Sequence, residues 1–127
     1  GLGDVYKRQG QIIMDDCLFC KIAAGDVPSN KVYEDEYVYS FLDIDPKAPT
    51  HIIFIPKQHI GSANELDDNN AEIIGKIFTA ISKVAKEKGF DKAGYRIVNN
   101  CGEDGGQTVG HLHFHVLAGR SLQWPPG

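Results

Sequence analysis

Gly110-His111-Leu112-His113-Phe114-His115-Val116-Leu117 is the stretch on which the fold turns. Three of the chain's five histidines alternate there with large apolar residues. In a β-strand successive side chains project to opposite faces, so His111, His113 and His115 share one face and Leu112, Phe114 and Val116 the other. A helix would step each histidine about 200° round from the last and scatter the set, so the alternation predicts a strand. At a rise of about 3.3 Å per residue, neighbouring histidines stand roughly 6.6 Å apart and the outer pair roughly 13 Å. Two neighbours can bracket one phosphorus atom or one metal ion, but all three cannot ligate one ion from a straight strand. The geometry favours separate roles over a three-histidine metal cage.

Working outward, Asp104-Gly105-Gly106-Gln107-Thr108 forms a loop leading into the histidines, and residues 95–99 read as the strand before it. Residues 68–88 carry Ile73, Ile74, Ile77, Phe78, Ile81, Val84 and Ala85 at i, i+3, i+4 spacing, which predicts a long amphipathic core helix closed by Gly89. Residues 50–55 form a strand stopped by Pro56. Residues 31–34 and 37–42, rich in Val and Tyr, pair across the turn Asp35-Glu36. Between residues 42 and 50, Pro46 and Pro49 impose a shaped loop. Residues 17–24 form a short helix capped by Gly25. These elements predict an α+β fold: a five-stranded antiparallel sheet with one long and one short helix. The tail Trp124-Pro125-Pro126-Gly127 is stiff and must pack on its own domain or on a partner subunit.

The chain has 127 residues, 42% of them apolar and 24% charged, enough for one domain with a real core. Residues 14–127 are read as that domain; residues 1–13, which precede the sole methionine, show no clear periodicity and are read as a leader outside it. A net charge of −4 argues against electrostatic binding to nucleic acid or to a membrane surface. No apolar run approaches the roughly 20 residues needed to span a bilayer. Three cysteines, an odd number, suit a reducing compartment, and the expected location is cytoplasmic.

Chemistry is read most directly from the histidines. Neutral imidazole attacks phosphorus well, and a neighbouring histidine can protonate a leaving group. Clustered imidazoles also disfavour one another's charged forms, which keeps a nucleophile neutral near pH 7. Glycines at 105 and 106 let backbone N–H groups approach a phosphate, although a Gly-Gly pair is more often only a turn. Asp43 suits two ribose hydroxyls, or equally a cap for the proline-rich loop. Cys17 and Cys20 form a C-x-x-C that, with His51 and one histidine of the triad, would complete a tetrahedral Cys₂His₂ zinc site. Two inert buried cysteines are the competing reading, and Cys101 has no assigned role.

Residues 106–117 closely resemble the signature of the histidine triad (HIT) family, in which three histidines alternate with apolar residues. Phe41-Leu42-Asp43-Ile44-Asp45-Pro46-Lys47-Ala48-Pro49-Thr50-His51 and Trp124-Pro125-Pro126-Gly127 are similar to its Hint branch in particular. The resemblance covers essentially residues 16–127. It implies a purine nucleotide-binding domain that dimerises, the two sheets joining into a continuous ten-stranded sheet. It also implies hydrolysis of purine nucleoside 5′-phosphoramidates to a nucleoside monophosphate and an amine.

On the same resemblance, His113 is the nucleophile, His115 contacts the phosphate and leaving group, and His111 with His51 forms a relay behind the nucleophile. Asp43 binds the ribose and Ile44 lines the base pocket. Asn99, Gly106, Gln107 and Thr108 hold the α-phosphate, and Trp124 reaches toward the partner's active site. Relatives with both cysteines carry a structural zinc, which makes Cys17, Cys20, His51 and His111 the expected ligands; no organic cofactor is expected. Zinc and the relay compete for His51 and His111, and the expectation is a structural zinc with catalysis left to His113 and His115. Gly110 stands where many members have a larger aromatic, which predicts looser packing beside the triad. Dinucleoside polyphosphate hydrolysis, as in the sister Fhit branch, and a non-catalytic zinc- and nucleotide-binding module are the alternatives.

Overall fold

The structure is a computed structural model; it describes residues 16–127 and the backbone of residues 5–8 and 11–14. Of the leader set apart on sequence grounds, residues 1–4, 9 and 10 lie outside the described residues. Strands β1 (Val5–Arg8) and β2 (Gln11–Met14) within it pair antiparallel with each other.

Next come helix α1 (Leu18–Ala24) and strands β3 (Lys31–Glu34), β4 (Val38–Leu42) and β5 (Thr50–Pro56). Helix α2 (Glu72–Lys88), β6 (Tyr95–Val98) and β7 (Phe114–Ala118) complete the chain. The last five strands make one antiparallel sheet in the order β3-β4-β5-β7-β6. This is the α+β arrangement expected. Among the described residues, no helix is long and apolar enough to cross a membrane.

Both faces of the sheet are covered, because the strands alternate between two apolar sets. Val38, Ile52, Phe54, Leu112, Phe114 and Val116 meet Ile77, Ile81 and Val84 of α2. Tyr39, Phe41, Ile53 and Ile55 meet Phe19 and Ile22 of α1. Central strand β5 therefore carries an unbroken apolar run at residues 52–56, all buried, after the buried His51. Helix α1 starts at Cys17, whose sulfur accepts from the Cys20 N–H, and ends at Gly25, whose φ of 83° is the left-handed cap geometry that glycine adopts without strain.

Two boundaries differ from expectation. Helix α2 begins at Glu72 instead of residue 68. The polar residues ahead of it bond among themselves: Asp67 Oδ1 accepts from Asn69 N–H and Asn70 Oδ1 from Asp67 N–H. Such side chains offer the backbone a turn in place of a helical start. The histidine strand begins only at Phe114, since residues 114–118 alone have ladder partners on β5. Residues 111–113 keep the expected alternation without a ladder: His111 and His113 face α1, while Leu112 lies in the α2 core.

Candidate active site and metal centre

Helix α1 and the loop after it stand off from the sheet and leave a cavity of about 500 Å³. Phe19, Ile22, Phe41 and Ile53 give it an apolar wall, while Asp43, Thr108, His113 and His115 bring polar groups to it. A larger hollow, about 630 Å³, lies between α2 and Tyr33, Asp35 and Tyr37. It holds no histidine or cysteine, so the chemistry belongs to the smaller cavity.

The sheet register explains how two distant histidines meet there. Ile53 lies opposite His115 and His51 opposite Leu117, which makes His51 and His115 diagonal neighbours on one face. His51 Nε2 is 2.8 Å from His115 Nδ1 and 3.3 Å from Asp43 Oδ2. The Lys47 N–H donates to His51 Nδ1 at 3.0 Å, so neutral His51 carries its proton on Nε2 and donates it to His115. Neutral His115 then carries its own proton on Nε2. Asp43 Oδ1 accepts from the Asp45 N–H at 2.8 Å, so this residue also caps the proline-rich loop.

The nucleophile candidate is oriented differently. His113 Nδ1–H donates to the His111 backbone carbonyl at 2.7 Å, and a carbonyl can only accept. Nε2 is thereby left without a hydrogen, its lone pair free. The Phe19 ring packs edge-on at 5.1 Å, and Asn99 Nδ2 donates to the His113 carbonyl at 2.8 Å. Burial pushes the pKa of His51, His113 and His115 below the ordinary histidine range. His115 falls furthest, to about 4, through burial first and then the neighbouring His113 and His51. All three rings are neutral at pH 7.

The glycine-rich loop contributes less than expected. Gln107 Oε1 accepts from Gly102 N–H, and Nε2 donates to the carbonyls of Gly61 and Val109. The backbone N–H groups of Gly106 and Gln107 donate to Glu103 and Gly102 carbonyls. Gln107 and Gly106 therefore hold the loop's shape, their N–H groups bonded within the loop or to Gly61. Thr108 does line the cavity. A Cβ at Gly110 would meet nothing within 4 Å, so the missing aromatic opens surface and leaves no void in the packing. Trp124 is 80% exposed on the tail, which Arg96 Nη2 tethers through the carbonyls of Leu122 and Gln123.

Behind the cavity, Cys17, Cys20, His59 and His111 bring four donor atoms within 4.8 Å of one another. Cys17 Sγ is 3.3 Å from His111 Nδ1; Cys20 Sγ is 3.3 Å from His59 Nδ1 and 3.5 Å from His111 Nδ1. Tetrahedral zinc, with Zn–S about 2.3 Å and Zn–N about 2.0–2.1 Å, separates sulfur and nitrogen donors by about 3.5 Å. His111 Nε2–H donates to the Pro56 carbonyl at 2.9 Å, which turns the Nδ1 lone pair onto the cysteines, as the outer bond of a metal-bound histidine does. The hydrogen bond with Cys20, foremost, holds the Cys17 thiol well below its usual pKa despite burial. Donor types, spacing and tautomer all fit a zinc-type ion.

Two expectations are corrected here. His51 does not join the cysteines, because it sits at the far end of β5 in contact with His115; His59, just beyond the near end of β5, takes that place. His51 and His111 also form no relay together, since the His111 ring is bonded to the cysteines and Pro56 and only its carbonyl reaches His113.

The fold and site together define a small α+β domain with paired imidazoles on one sheet face over an apolar-walled cavity. Residues 24–122 match the HIT domain family, and the chain belongs to it. It is 45% identical over 112 residues to a "14 kDa zinc-binding protein" of Zea mays, covering 87% of each chain. A histidine triad protein from Clostridium difficile is 50% identical with a TM-score of 0.84, covering 93% of this chain and 97% of the other. For a HIT family hydrolase from Legionella pneumophila the values are 46%, 0.86, 88% and 100%. A histidine triad nucleotide-binding protein from Candida albicans gives 34%, 0.74, 87% and 83%.

The tautomer chain sets a test. Protonation of the His115 ring, followed by the NMR shifts of its carbon-bound hydrogens, should have its midpoint at about 4. A midpoint at or above the ordinary value of about 6.5 would contradict the buried, neutral pair.

Proposed function

We propose that this chain hydrolyses purine nucleoside 5′-phosphoramidates, within the Hint branch of the family. One observation carries the reading: His113 offers a hydrogen-free Nε2 to the cavity while the neighbouring His115 holds its hydrogen on Nε2. A neutral nucleophile and an adjacent proton donor are what attack at phosphorus with loss of an amine requires. The nucleotide-binding and hydrolase names of the relatives from Candida albicans and Legionella pneumophila support the same class.

In the proposed sequence the base lies against Phe19, Ile22 and Phe41, with Ile44 at the rim. Ile44 is 96% exposed, an apolar side chain with little to cover it until a ligand arrives. Asp43 Oδ2 accepts from a ribose hydroxyl, and the Thr108 hydroxyl donates to the phosphate. Asn99 acts through the His113 carbonyl it already holds. The anionic phosphate stabilises a charged His115, so one proton enters with the substrate onto His115 Nδ1; the His51 Nε2–H then turns from that nitrogen to Asp43 Oδ2, whose carboxylate offsets the charge. His113 Nε2 then attacks phosphorus, the phosphorus–nitrogen bond breaks, and the amine departs with the proton from His115. Water next attacks the nucleotidyl-histidine, returns a proton to His115, and releases the nucleoside monophosphate and free His113.

The Cys17, Cys20, His59 and His111 cluster would hold zinc as a structural ion, supplying charge to fix two thiolates and two imidazoles, and no reaction step passes through it. The zinc-binding name of the Zea mays relative supports this. An odd count of three cysteines suits the reducing cytoplasm. The sheet ends at β3 and β6, and we place a second copy so that the two sheets join and the exposed Trp124 reaches its partner's cavity.

Turnover of adenosine 5′-phosphoramidate should fall by about 10⁴-fold or more in His113→Ala, the scale seen when a covalent nucleophile is removed. Undiminished turnover in that variant would sink the mechanism, and faster turnover of a dinucleoside polyphosphate by the wild type would move the substrate class. Metal analysis should find about one zinc per chain in the wild type and in His51→Ala, and little in Cys20→Ser or His59→Ala. Zinc lost from His51→Ala but kept by His59→Ala would refute the ligand set.

A further inference from the structure

We propose that the Cys17, Cys20, His59 and His111 cluster positions the nucleophile, so that a bound zinc-type ion sets the orientation of His113. The proposal rests on the reading of His113 as nucleophile. His111 is the link between the two sites. Its ring faces the two cysteines, and its carbonyl accepts the His113 Nδ1–H that leaves Nε2 as the free lone pair.

The sheet does not hold that carbonyl in place. Ladder pairing with β5 starts at Phe114, so residues 111–113 lie ahead of it. They are fixed by the cluster, by the bond from His111 Nε2–H to Pro56, by the Leu112 N–H, which donates to the Ile60 carbonyl at 2.6 Å, and by Asn99 Nδ2 on the His113 carbonyl; of these, the cluster and the Pro56 bond act on His111 itself. Ile60 directly follows His59, another member of the cluster. A further tie runs through α1: Phe19, between the two cysteines, rests edge-on against His111 at 6.0 Å and His113 at 5.1 Å while lining the cavity. Cys17, Cys20 and His59 are thus positioning residues acting through His111 and Phe19. Without a metal, the two bonds to the Pro56 and Ile60 carbonyls remain, but the four side chains of the cluster meet only through contacts to sulfur, a weak hydrogen-bonding partner. A bound ion would be held by Cys17, Cys20, His59 and His111, and so would tie α1, the segment after β5 and the approach to β7 to one another.

The test compares the full chain with zinc, the same chain stripped by a chelator, His59→Ala, and His59→Cys, which keeps a ligand. Far-UV circular dichroism checks folding, and the stripped wild type serves if His59→Ala does not fold. The expected result in the metal-free folded protein is loss of the slowly exchanging His113 Nδ1–H resonance. The turnover number should fall about 10–100-fold, as for other outer-shell changes, with KM moved less than about threefold. His59→Cys should restore both signals with zinc present. A stripped, folded chain that keeps the Nδ1–H resonance and the full rate would overturn the proposal. The resonance is read without turnover, so failure of the wild type to cleave phosphoramidate would count against the proposed reaction and not against the coupling.

Discussion

The hydrogen bond from His113 Nδ1–H to the carbonyl of His111 is the constraint on which the rest depends. At 2.7 Å it is short, and since a carbonyl has no proton to give, it decides which ring nitrogen carries the hydrogen. Every chemical use of the cavity follows from that choice. Were the proton on Nε2, the same side chain in the same place would be a donor and could not attack phosphorus.

Burial completes the arrangement. An imidazole in solution is partly charged near neutral pH, but burial disfavours the charged form of His51, His113 and His115 alike. His51 receives the Lys47 N–H and passes its own hydrogen to His115, so two neighbouring histidines end with opposite tautomers toward the cavity. One is an acceptor and the other a donor. Side chains of one residue type are thus differentiated by backbone groups, the His111 carbonyl within the signature and the Lys47 N–H outside it.

The division of the sheet into two faces was legible in the alternation of residues 110–117, and the stripe from Ile73 to Ala85 marked the helix that covers one of them. The strand's start was not, because a ladder needs a partner as well as a pattern, and β5 supplies one only from Phe114 onward. The zinc ligands show the same limit. His51 lies near the start of a seven-residue strand, which spans about 23 Å, and His59 just past its end, and the C-x-x-C spacing alone does not choose between them. Antiparallel pairing does choose: a strand entered near His111 runs beside the end of β5, where His59 lies, and reaches His51 only at Leu117. That signal was available once the two strands were taken as neighbours. The fate of Gln107 was not, since an amide beside two glycines reads equally as a phosphate donor or as a brace for its own loop.

The most direct test of covalent catalysis by His113 is intact-protein mass spectrometry after rapid mixing with adenosine 5′-phosphoramidate. The expected result is a transient species heavier by one adenylyl group, mapped to His113 by peptide analysis and absent from His113→Ala. Substrate turnover through an adduct on another residue, or with none at any mixing time, would contradict it.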